Sequence, residues 1–98
     1  MPPSLDPDTW VYVVVQNDTI VGQHESTKDI DFIPFFEDRE TAVKGVVRLT
    51  TVPGKPPEAQ AILFEDLTRY AEKEGFLLFL INGSGQIESK FGPNGRPL

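Results

Sequence analysis

Residues 59–71 read Ala-Gln-Ala-Ile-Leu-Phe-Glu-Asp-Leu-Thr-Arg-Tyr-Ala, and the fold turns on how they are parsed. Ala59, Ile62, Leu63, Leu67, Tyr70 and Ala71 fit one continuous helical face that starts after Pro57. Ala59 to Phe64 also reads as a short buried strand, with a helix beginning near Glu65. We adopt strand then helix, because an earlier segment has the same layout. The apolar run from Phe32 ends in Phe36-Glu37-Asp38 and passes into a helical pattern, and Phe64-Glu65-Asp66 repeats those three letters 28 residues later.

Working outward, Asp38 is placed to cap the first helix by accepting a hydrogen bond from a free first-turn amide. Ala42, Val43, Val46, Val47 and Leu49 then form one broad stripe. Gly45 interrupts it at a cost of about 1 kcal/mol relative to alanine, which close approach to the sheet would explain. The breaker-rich segment Thr51-Val52-Pro53-Gly54-Lys55-Pro56-Pro57 ends this unit.

Toward the N-terminus, Thr9 to Gln16 is β-branched and aromatic and reads as a strand. Asn17-Asp18 turns it into a short partner, Thr19 to Gln23, and residues 22–31 read as a polar loop before the strand Asp31 to Phe36. Toward the C-terminus, Gly75 suits the left-handed residue that ends a helix. Phe76 to Ile81 is an apolar strand, Asn82-Gly83-Ser84-Gly85 a hairpin turn, and Gln86 to Phe91 the returning strand. The expectation is a single α+β domain over residues 9–91. It has a mixed sheet of about five or six strands and two helices, in the order β-β-β-α-β-α-β-β. Residues 1–8 read as a flexible arm and residues 92–98 as a disordered tail.

Composition narrows the classes of function. The 98 residues contain no cysteine, which removes disulfides, thiolate nucleophiles and cysteine-held metal clusters. A cytoplasmic setting fits best. No apolar run is long enough to cross a bilayer, and the first residues lack the basic and apolar regions of a signal peptide. With net charge −6 and its bases scattered singly, the chain lacks the clustered Lys and Arg that bind phosphate backbones or anionic lipid. Nucleic acid and membrane are therefore not expected partners.

Phe32-Ile33-Pro34-Phe35-Phe36 with the amphipathic helix behind it resembles the N-terminal domain of the bacterial SseB family. The later order of apolar strand, short helix and Phe76-Leu77-Leu78-Phe79-Leu80-Ile81-Asn82-Gly83 resembles it too. The resemblance covers roughly residues 10–91. It implies an α+β fold, a bacterial source and a cytoplasmic setting, and it carries no catalytic residues or cofactor.

The Glu-Asp pairs are the sharpest chemical lead. If their strands are parallel, Glu37, Asp38, Glu65 and Asp66 all sit at strand carboxyl ends, where ligands of open sheets bind and where carboxylates could hold a hard divalent cation. The plainer account is that Asp38 and Asp66 cap helices and the acids complement helix dipoles. His24 is the only histidine, so no second imidazole completes a zinc site. Gly83-Ser84-Gly85 and Gly92-Pro93-Asn94-Gly95 precede no helix and read as turns.

Several strands are apolar on both sides, and such strands need cover on both. If the β-α-β-α-β segment winds in one direction, right-handed crossovers place both helices on one face and leave the other exposed. If strand order reverses once, each face receives a helix. Pro34 cannot donate to a ladder, so its strand should be an edge or bulged there. The expected function is a non-enzymatic module that binds a protein partner or itself. Its candidate surface is Trp10, Tyr12, Phe32, Phe35 and Phe79. A small-molecule or divalent-cation sensor using the acidic helix starts is the alternative, and an enzyme of unrecognised type the second.

Overall fold

The computed structural model describes residues 5–47, 49 and 53–98. The first four residues of the expected arm, together with Thr51 and Val52 of the expected loop, lie outside these. In chain order the elements are β1 (Trp10–Gln16), β2 (Thr19–Ile20), β3 (Gln23–Glu25), β4 (Ile30–Phe36), α1 (Arg39–Val46), β5 (Glu58–Leu63), α2 (Phe64–Glu74), β6 (Leu77–Ile81) and β7 (Ile87–Phe91). The chain is one α+β domain, and its described residues form a mixed seven-stranded sheet and two helices.

Strand-then-helix is the parse that residues 59–71 adopt. β5 pairs antiparallel with β1 from Trp10↔Leu63 to Val15↔Glu58. The chain turns into α2 at Leu63, and Phe64, Leu67 and Ala71 bury one stripe of that helix. Gly75 ends it at φ 80°, a left-handed conformation that glycine enters without a Cβ penalty. Asn17 and Asp18 both take positive φ, 52° and 61°. That is the pattern of the tight turn whose twist matches paired strands, and it joins β1 to β2.

The extra strand comes from the segment read as a loop. Gln23-His24-Glu25 forms β3, paired antiparallel with Ile30-Asp31-Phe32 at the start of β4. Nothing apolar marks it, so only its partner reveals it. β4 is central. It pairs in parallel with β6 from Phe32↔Leu77 to Phe35↔Leu80, and on its other side with β3 and then β1. The expectation that Pro34 marks an edge or a bulge is therefore corrected. On that side Phe32 pairs with Gln23 while Phe35 and Phe36 pair with Val13 and Tyr12. Pro34 falls in the gap between the two ladders, where a missing amide donor costs least.

Strand order reverses once. The chain leaves β4 by way of α1, passes β1 to reach β5, and returns by way of α2 to β6 beyond β4. With right-handed crossovers, opposite directions of travel put the helices on opposite faces. The packing agrees. Phe64, Leu67 and Ala71 of α2 meet Val11, Val13, Ile33, Phe35, Leu78, Leu80 and Phe91 on one face. Ala42 of α1 meets Val14 and Phe36 on the other, with Val46 and Leu49 beside it.

Residues 92–98, expected to be a disordered tail, fold back along β7. The Leu98 amide donates to the Lys90 carbonyl, the Gly92 amide donates to Arg96, and Phe91 bridges Pro97. Gly95, at φ 82°, sits so close to α2 that an added Cβ would lie 2.7 Å from Cγ2 of Thr68. Leu5 of the expected arm also packs against the main core.

Candidate functional site

β4 and β5 are both antiparallel to β1, and β6 is parallel to β4, so all three point the same way. Glu37, Asp38, Glu65 and Asp66 accordingly leave the sheet at one common end. Asp38 is a cap, its Oδ1 accepting from the Thr41 amide at 2.8 Å, and that bond holds its carboxyl below the usual range. Asp66 is not one. The N-cap position of α2 is Leu63, with no side-chain hydrogen bond. The Phe64 and Glu65 amides donate instead to the carbonyls of Thr9 and Pro7. The chain's own N-terminal segment thus satisfies the first amides of α2. Glu65 pairs with Arg69 at 2.6 Å, and Asp66 lies 3.8 Å from the same guanidinium. Among the described residues no group of three His, Asp or Glu side chains is placed to hold a metal ion.

These roles predict an order of effects. Asp38→Ala should lower the thermal midpoint, Asp38→Ser should restore most of the loss, and Asp66→Ala should cost less than Asp38→Ala. Because the Asp38 pKa is depressed in the fold, its stabilisation is present above the ordinary carboxylate value and disappears as pH falls through the folded one. Thermal melts from neutral to acid pH should show the gap between wild type and Asp38→Ala closing.

His24 is not an isolated loop side chain. It lies opposite Asp31 in the β3–β4 pair, with Nδ1 2.7 Å from Asp31 Oδ1 and Nε2 3.5 Å from Asp29 Oδ1. A carboxylate only accepts, so the neutral ring carries its proton on Nδ1. The hydrogen bond that His24 donates to Asp31 raises the imidazole pKa above its usual 6.5. The imidazolium's contribution to stability is therefore complete below the ordinary value and lost as pH rises through the folded one. An NMR titration of the single imidazole should show a midpoint above 6.5 that drops toward it in Asp31→Asn.

The five aromatics do not form one surface. Phe35 is fully buried on the α2 face, its ring 5.7 Å from Phe64 and 5.8 Å from Phe91, so it leaves the candidate set. Phe79 is buried as well, stacked on Phe32 at 4.4 Å with the Lys90 ammonium 5.3 Å from its ring. Tyr12 and Phe32 are half-buried. Trp10 alone stands in water, 61% exposed, on the α1 face beside Leu63 of β5.

Two further exposed apolar groups lie on α1. The stripe read as five packed residues carries only Ala42, Val46 and Leu49 to the sheet, while Val43 is 53% and Val47 85% exposed. Helical geometry places them. Ala42 points at the core and Gly45 abuts the Phe36 ring on the β4 side. At 100° per residue, Val47 turns away from the sheet, while Arg39 and Val43 come round to the opposite flank, above β5. A shallow groove there is lined by Arg39, Val43, Val46, Pro57, Glu58 and Ala59. A helical wheel centred on Ala42 would have separated the two exposed valines.

No family model, curated protein or solved structure matches the chain. No helix among the described residues is long and apolar enough to cross a membrane.

Proposed function

We propose that this chain is a non-enzymatic protein-interaction module whose contact surface is the flank formed by β5, α1 and Trp10. One observation carries the reading. Exposed Trp10, paired with Leu63, and exposed Val43, in the groove with Pro57, Glu58 and Ala59, stand by the two ends of β5, a strand that among the described residues pairs on one side only. Apolar groups beside an open backbone edge are what a partner surface offers. This moves the surface from the sheet-face aromatics to the β5 edge. Kinship with the SseB N-terminal domains and a cytoplasmic setting belong to the same proposal. They rest on the Ile33-Pro34-Phe35-Phe36 strand leading into α1 and on the cysteine-free composition.

Photo-crosslinking tests it. A benzophenone side chain at position 43, in cells that naturally make the protein, should yield a covalent protein adduct. The same probe at Glu72, exposed on α2, should not. No adduct from position 43, or equal labelling from both, would remove this surface from consideration.

A further inference from the structure

Resting on that reading of the flank, we propose that its occupant is a second copy of this chain, paired antiparallel along β5 so that two sheets become one across a two-fold axis. The two edges of the sheet are treated differently. β7 is covered by the chain's own tail, through Leu98 to Lys90 and Phe91 to Pro97, and its pairing with β6 is irregular at Leu80/Ile81. Edges managed in this way resist pairing with other chains. β5, Glu58-Ala59-Gln60-Ala61-Ile62-Leu63, has no proline, no bulge and a single charge at its first residue. Among the described residues its outer side has no strand partner.

The strand is self-complementary. A two-fold axis perpendicular to the sheet keeps each face on its own side, so it passes beside either Gln60 or Ala61. With the axis at Gln60, Glu58 faces Ile62 of the copy and the two glutamine amides meet. With the axis at Ala61, Ala59 faces Leu63 and Glu58 lies beyond the paired strand. Neither register sets a charge against its like. Pro57 before β5 and the start of α2 after it confine the ladder to these six residues.

The same axis turns α1 toward its mate. Strands lie about 4.8 Å apart, and α1 packs across β5, β1 and β4. Its axis therefore stands about 14 Å from its symmetry partner, and side chains on the β5 flank, not the helix backbones, reach toward each other. The flank presented there is the one carrying Val43. A lone peptide strand would satisfy the β5 backbone but leave that valine in water. A second copy covers both, in a closed isologous contact.

Sedimentation equilibrium of the purified chain in the micromolar range should give twice the monomer mass. Val43→Glu, at an exposed site, should return it to the monomer mass with the helix and sheet content unchanged. The cysteine-free sequence allows a second readout. Under mild oxidation, Gln60→Cys or Ala61→Cys, whichever lies on the axis, should form a covalent dimer, while Glu72→Cys should not. A monomer mass throughout, a Val43→Glu variant that stays dimeric, or equal cross-linking from Glu72→Cys would each overturn the proposal. A monomer that still gives a photo-adduct of foreign mass from position 43 removes the second copy and leaves the interaction surface standing.

Discussion

Phe35→Ala should cost about 3–5 kcal/mol of folding stability, the range for emptying a buried aromatic site. Phe35 is fully buried and sits in parallel register with Leu80 and opposite Val13. Its ring completes a triangle with Phe64 of α2 and Phe91 of β7, whose own rings are 5.7 Å apart. Removing it takes away the contact that joins three elements over one face, and main-chain atoms of a central strand cannot move in to fill the space. Trp10→Ala, at an exposed position, should change stability by about 0.5 kcal/mol or less. Urea unfolding of both variants provides the comparison. Similar small losses would mean that Phe35 faces water, and with it that the α2 face is not the main core. A loss of several kcal/mol in Phe35→Ala beside near-neutrality in Trp10→Ala would place the two residues on opposite sides of the packing.

That contrast marks the limit of what the sequence shows. Phe32 and Phe35 lie in a strand apolar on both sides, so no alternation reveals which ring goes inward, and burial must be decided by whatever packs above each face. The Phe-Glu-Asp repeat was informative because it is local: it marks two strands that end where helices begin, and their common direction follows. The strand β1 that separates them leaves no trace in the repeat. Asn17-Asp18 was equally legible, since positive φ at two successive residues needs those residue types. Caps divide along the same line. Asp38 is read correctly because its acceptor and the Thr41 amide are three residues apart. Asp66 is misread because carbonyls from Thr9 and Pro7, more than fifty residues upstream, satisfy the first amides of α2. β3 and the folded tail share that cause, since each is ordered by backbone bonds to a strand it meets only after folding. For the candidate surface, Trp10 was legible and the open β5 edge was not, because strand order decides which strand is last.

Gly45→Ala should destabilise the protein by about 1–3 kcal/mol, the range for overpacking a filled site, against the usual trend for a helix interior. In an exposed helix the same change stabilises by about 1 kcal/mol, because alanine loses less backbone entropy. Here an ideal Cβ would lie 2.5 Å from Cε2 and 2.7 Å from Cζ of Phe36, distances that no side chain tolerates. Phe36 is fully buried on the α1 face beside Val14 and Ala42, so its ring has nowhere to go. Relief must come from lifting α1 off the sheet, which would loosen the helix that carries Val43 above β5. Gly45→Ala should therefore lower the unfolding midpoint and also weaken self-association, two readouts that a purely local helix effect would not couple. A paired variant, Gly45→Ala with Phe36→Leu, should recover part of both losses by shortening the obstructing ring. Stabilisation by Gly45→Ala alone would show that α1 does not seat against Phe36 and that Val43 need not face the β5 edge.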